Sequence, residues 1–310
     1  MKQVSYHSSD QNRVRLRRGV RFISGTGVQL MLSNFKKYAA VAGSAALLAA
    51  GMGTVARAGD DAAPAAAPAF GYTWTVTGAS DYLFRGISFT QSDPTVNSYL
   101  EFTYGIAYLG LWTSNIDTCA TSGCLGPWEQ DVYVGIRPVT GPVSWDFGLL
   151  YYYYRTKGTV SSWDTDYIEL KASGTITPIT NLSLTGTVYY TPDQDLASPE
   201  NVSVEGTVAY TLPAVGIFTP TLSGQLGFSD ASTNAFYGTA STARAGGLLG
   251  FWNADDQYTY WNAGVKVAVE KFTFDLRYWD TSIPNDVADL SLGHKNSDQR
   301  LFFSMAVTLP

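Results

Sequence analysis

The sequence predicts an all-β protein, an up-and-down antiparallel transmembrane β-barrel of about 12 strands. Three observations carry that reading. Apolar and polar residues alternate one for one in twelve separate runs, the period of a strand with one apolar and one polar face. The connections between runs alternate strictly between short and long, as the two sides of an outer membrane impose. Charged residues fall on the polar face of the runs. A barrel interior can hold them there, whereas an Arg or Lys on the lipid face near the midplane costs about 2–4 kcal/mol.

The N-terminal part reads as an export signal. Met31 is a second plausible start, Lys36 and Lys37 form a charged leader, and Ala39 to Val55 is an alanine-rich apolar run. Ala56-Arg57-Ala58 supplies small residues where a signal peptidase cuts, so residues 31–58 are expected to be a signal peptide cleaved after Ala58. An uncleaved anchor is the weaker reading, because the apolar run is short for a spanning helix. Residues 1–30 hold five arginines without apolar periodicity, and are expected to be an over-long start or a discarded leader. Residues 59–70 form an Ala/Pro linker. Residues 71–310 form a single barrel domain, since no further break in composition follows.

Export changes the charge balance. Of 20 Lys+Arg and 26 Asp+Glu, nine bases and one acid precede residue 59, which leaves 11 bases, 25 acids and a net charge of −14. That excludes nucleic acid as a partner and gives any pore a cation bias. Cys119 and Cys124 lie close together in an exported chain, where a local disulfide is the natural expectation. No histidine stands near them to make a metal site. With a mean hydropathy of −0.03 and no other long apolar run, a helical membrane protein is excluded.

The runs follow in order. Tyr72–Thr77 is the first, then a polar loop from Gly86 to Pro94. Ser98–Tyr104 and Ile106–Thr113 make a tight pair about Gly105. Glu129–Arg137 is the fourth run, and Val143 to Tyr154 the fifth after a turn at Pro138–Pro142. Tyr167–Ala172 is the sixth, with Thr177–Thr180 as its turn. Leu182–Val188, Val202–Val208 and Phe218–Phe228 are the seventh to ninth. Ser229–Asp256 breaks the pattern. Tyr258–Glu270 and Phe272–Trp279 meet at Glu270-Lys271, and after the loop Asp280–Asp298 the last run is Arg300–Leu309. An even strand count lets first and last close antiparallel without an edge. A soluble sandwich would not require the alternation of loop lengths.

Parity assigns the faces. Val76, Leu100, Phe102, Val132, Val134, Trp145, Ile168, Leu184, Val204, Leu222, Val265, Val267, Phe274 and Val307 are expected to face lipid. Glu101, Asp131, Arg137, Asp146, Glu169, Lys171, Glu205, Gln225, Lys266, Asp275 and Arg277 are expected to face inward and line a lumen, as are Asp81 and Arg85. With Glu129 added, the run interiors hold seven acids and four bases, a net −3 that would favour cations in an open lumen. The same interleaved signs could form a closed ion-pair network. Asp81 and Arg85, four apart at the outer end of the first run, are expected to pair, anchoring the first loop or forming a rim charge pair. Tyr151 and Tyr153 point outward, and with Tyr82, Phe84, Trp112 and Tyr190 read as an aromatic girdle. Tyr152 and Tyr154 point inward, to pack or to stack sugars. The 229–256 loop could fold in as a constriction or lie on the surface.

Three stretches resemble a known family: Ser80-Asp81-Tyr82-Leu83-Phe84-Arg85-Gly86-Ile87-Ser88, Gly110-Leu111-Trp112-Thr113-Ser114-Asn115-Ile116-Asp117, and Asn296-Ser297-Asp298-Gln299-Arg300-Leu301-Phe302-Phe303-Ser304. Together they resemble the signature of the TorF family of proteobacterial porins, over residues 71 to about 305. The chain departs from that family after Asp93-Pro94, where its glycine-rich continuation is missing, and in ending Leu309-Pro310. The resemblance implies an outer-membrane barrel with a channel role.

The expected function is therefore passive diffusion of small hydrophilic solutes or ions, in contact with outer-membrane lipid, without cofactor or metal. Assembly into homo-oligomers is compatible with it. One alternative is a non-conducting recognition or adhesion barrel. The other is a barrel hydrolase, for which the exported chain offers a single histidine, His294, in a polar loop and without a nucleophile elbow. The expectation is that the chain is not an enzyme.

Overall fold

A computed structural model describes residues 70–117, 127–154, 166–194, 200–231, 257–283 and 296–309. Within them the chain closes into one twelve-stranded antiparallel barrel. The strands are β1 Gly71–Ala79, β2 Thr95–Tyr104, β3 Ala107–Asn115, β4 Trp128–Ile136, β5 Val143–Tyr154 and β6 Tyr167–Ile179. They continue with β7 Leu182–Thr191, β8 Asn201–Thr211, β9 Thr219–Ala231, β10 Gln257–Val269, β11 Phe272–Thr281 and β12 Arg300–Leu309. Each pairs with its neighbour in sequence, and β12 returns to β1 with Val76 opposite Val307. No edge is left open among them, which removes the row of unpaired backbone groups that lipid cannot satisfy. Among the described residues no helix is long and apolar enough to cross a membrane.

The outer wall follows from alternation carried across the ladder. Leu109 stands opposite Val134, Val134 opposite Leu149 and Leu149 opposite Leu170. All four are exposed, with Leu111, Val132, Tyr151 and Ile168 above them. An apolar surface of this extent marks contact with another apolar phase. The inner face carries hydroxyls and charges instead: Ser173 with Thr187, Thr175 with Thr185 and Ser203 with Ser229 bond across neighbouring strands at 2.8–2.9 Å.

Several strands run further than alternation predicts, two of them into stretches expected to be turn or loop. The sixth continues through Pro178 to Ile179, and the turn is Thr180–Asn181 rather than Thr177–Thr180. Pro178 is tolerated because it lies at the strand end, beside an irregular register between Leu182 and Leu184. The ninth continues through Ser229-Asp230-Ala231, the start of the stretch expected to break the pattern. Ser229 faces the lumen, so an apolar residue is not required there.

Inward tyrosines lie flat over glycines of the adjacent strand. Tyr133 faces Gly110 and Tyr260 faces Gly227 across the ladder. A Cβ on Gly110 would fall 1.9 Å from the Tyr133 ring, and one on Gly227 would fall 2.2 Å from the Tyr260 ring. Gly227→Ala is expected to destabilise the barrel by about 1–3 kcal/mol, because the buried Tyr260 ring has nowhere to move. Urea unfolding followed by tryptophan fluorescence checks this; an unchanged midpoint would show that the ring relocates freely.

Candidate functional site

The lumen is the candidate site, and a hairpin crosses it. After β1 ends at Ala79 the chain turns inward, and Leu83–Phe84 pairs antiparallel with Ile87–Ser88. The two-residue turn is Arg85–Gly86, with φ of 52° and 84°, the signature of a type I′ turn. A non-glycine residue in this region is uncommon and costs energy. Gly86 is also required sterically, since a Cβ there would lie 2.5 Å from Thr281 Cγ2.

Both ends of the hairpin are tied by ion pairs. At its base, Asp81 accepts from Arg300 Nη1 at 2.7 Å, Ser88 Oγ at 2.6 Å and Thr90 Oγ1 at 2.7 Å. At its tip, Arg85 Nη2 lies 2.8 Å from both carboxylate oxygens of Glu169. Tyr152 and Thr191 also donate to Glu169, at 3.1 and 3.0 Å, and Glu169 is 0% exposed. The guanidinium sits over the rings of Phe84 and Tyr189 at 4.7 and 4.8 Å. Arg300 belongs to β12 and Glu169 to β6, half the ring apart in strand order. The hairpin therefore spans the bore. Ile87 and Phe89 join Ile116, Tyr152, Tyr154, Tyr167, Tyr258 and Tyr260 in a buried cluster that fills this end.

The other half of the lumen, toward the short turns, holds two wall-bound networks. Arg137 donates to both Glu101 oxygens at 2.7 Å and to Asp146 at 3.4 Å, while Lys171 reaches Asp146 at 2.9 Å. On the facing wall Arg277 pairs with Asp275 at 2.8 Å and also donates to Asn262, which in turn bonds Gln225. Lys266 lies 3.9 Å from Asp275. Arg137, Asp146, Lys171 and Lys266 keep partial exposure, unlike the pair at the hairpin tip.

Every charged position expected inward therefore lies inside the ring. Glu205 accepts the Tyr260 hydroxyl at 2.8 Å, and Asp131 is buried on β4 beside Glu129. Three expectations need correction. Asp81 and Arg85 do not pair with each other; they sit on the inward loop, not on a strand, and bind Arg300 and Glu169. Tyr82, Phe84 and Trp112 are not girdle residues. They point inward and pack together, Tyr82 lying 5.0 Å from Trp112. The loop Gly86–Pro94, expected to be merely polar, buries Ile87, Ser88, Phe89 and Thr90. A signal for this existed, because Phe84-Arg85-Gly86-Ile87 sets X-Gly between apolar residues, a two-residue hairpin pattern. Cys119, Cys124, His294 and residues 232–256 lie outside the described residues, as do residues 1–69, which hold the expected signal peptide and all but the last residue of the expected linker.

A closed strand ring with an apolar outer wall and a charged interior defines the chain as a β-barrel of the membrane-spanning architecture. More particularly, it belongs to the Gcw_chp family, described as a bacterial protein of unknown function, which matches residues 62–308. No curated protein matches the chain. Among solved structures it is similar to a KdgM porin in complex with disordered oligogalacturonate, at 7% identity and a TM-score of 0.44, over 77% of this chain and 98% of that one. It is similar to the NanC porin at 10% identity and 0.45, over 76% and 99%. It is also similar to LpxR from Salmonella typhimurium at 7% and 0.39, over 76% and 99%. Likeness at this level carries no weight for what the chain does.

Proposed function

We propose that this chain is a bacterial outer-membrane channel of the porin type, passing small hydrophilic solutes or ions with a preference for cations. One observation carries the reading: an apolar-walled ring encloses a polar bore whose turn-side charges still meet water. The inward set, with the hairpin included, is eight acids (Asp81, Glu101, Glu129, Asp131, Asp146, Glu169, Glu205, Asp275) against six bases (Arg85, Arg137, Lys171, Lys266, Arg277, Arg300). An acidic bore concentrates cations. Export by a signal at residues 31–58, a 59–70 linker and relation to the TorF porins belong to the same proposal.

The test is reconstitution in a planar bilayer under a KCl gradient. Discrete conductance with a reversal potential of cationic sign is the expected result. Anion preference removes the selectivity. Silence from both the native barrel and one lacking the hairpin removes the channel. The hairpin across the long-loop end favours a second reading, a closed recognition barrel, and double silence is the outcome that reading requires.

A further inference from the structure

Glu129 and Asp131 stand two apart on β4 and point into the hairpin end of the lumen, 0% and 9% exposed. Glu129 Oε1 accepts the Tyr82 hydroxyl at 3.1 Å. Its Oε2, and Asp131 Oδ1, are buried without a hydrogen-bond partner. No ion pair joins either acid to a base among the described residues: Arg85 is committed to Glu169, and Arg300 holds Asp81. Directly across the ladder from Glu129 is Tyr154, 3% exposed, whose hydroxyl is likewise buried and unpartnered. Across from Asp131 are Trp112 on one side and Tyr152 on the other. Aromatic rings wall the corner, with Tyr152 stacked on Tyr167 at 4.5 Å and Tyr82 tilted against Trp112 at 5.0 Å.

Two carboxyl groups withdrawn from water stay ionised only beside a compensating charge. Buried polar atoms left without partners point to an ion or solvent that satisfies them. The donors here are two anionic oxygens and one phenolic oxygen, beside ring faces that attract positive charge. We infer that this corner is a binding site for one small monovalent cation, of alkali-metal or primary-ammonium chemistry, held by Glu129, Asp131 and Tyr154. A divalent ion is a poorer fit. Calcium takes about six to eight oxygen ligands, and among the described residues no group of three or more His, Cys, Asp or Glu side chains could hold a metal. The buried indole N–H of Trp112, also unpartnered, suits a water in the cation's shell. The inference deepens the channel reading by naming the solute that the closed end of the bore would select.

The experiment measures the thermal unfolding midpoint of the full chain in detergent, at constant ionic strength. Sodium, potassium or methylammonium replaces bulky N-methyl-D-glucamine. The native protein is expected to gain several degrees with the small cations, and the Glu129→Gln/Asp131→Asn variant to lose that gain. The order among the three separates a metal ion from an ammonium group. A native midpoint indifferent to the cation overturns the site, whether or not the variant folds. So does a gain that persists in the variant, or one that follows falling pH alone. Silence of both the native and the hairpin-less barrel, with a cation-dependent midpoint, removes the channel and leaves the site; conductance without that dependence does the reverse.

Discussion

Excising Leu83–Ser88 and joining Tyr82 to Phe89 through two glycines is expected to raise single-channel conductance severalfold. The excised hairpin is what reaches from the β1–β12 wall to Glu169 on the opposite wall. Its removal takes out Phe84, Ile87 and the Arg85–Glu169 pair, the part of the packing at the long-loop end that crosses the bore. The ring itself should survive, because none of the twelve ladders uses these residues. Some stability is lost, about 1.5–3 kcal/mol for each large apolar side chain no longer buried. Heat-modified mobility on a gel verifies that the barrel still forms. Cation preference should rise as well, since one base leaves the bore and no acid does. Unchanged conductance in a folded variant would mean that the walls, not the hairpin, set the bore.

Arg85→Met is expected to destabilise the barrel by about 3–5 kcal/mol, the cost of leaving one partner of a buried ion pair uncompensated. Glu169 would keep Tyr152 and Thr191 as donors but lose its counter-charge. Arg85→Met combined with Glu169→Leu should recover most of the loss, because desolvation no longer has to be offset once both charges are gone. A surface pair would behave otherwise, with changes within about 1 kcal/mol. Equilibrium unfolding in lipid vesicles measures all three variants. A mild single variant, or a double variant worse than the single, would show that the tip is not a buried latch.

Strand identity, order and facing were legible in the chain because a strand's period is local. Val134 and Asp131 are assigned to opposite faces by parity alone, and Leu109, Val134 and Leu149 meet because each run is long enough to fix its register. The signal weakened where the lumen accepts any small polar residue, and so Ser229 looked like loop. Pairing inside the bore was not legible. Asp81 and Arg85 are neighbours in sequence, whereas their partners Arg300 and Glu169 are brought near only by closure of the ring.

The sequence by itself determined a twelve-stranded closed sheet with an apolar outside, since alternation and loop length are properties of short stretches. Only the tertiary structure decided what occupies the bore. A hairpin that folds back across a cylinder makes its contacts with strands far away in the chain, and no periodicity records which wall it will touch. For the same reason closure of the ring, not the local sequence, leaves Glu129 and Asp131 without a base, with Arg85 and Arg300 bound to other acids.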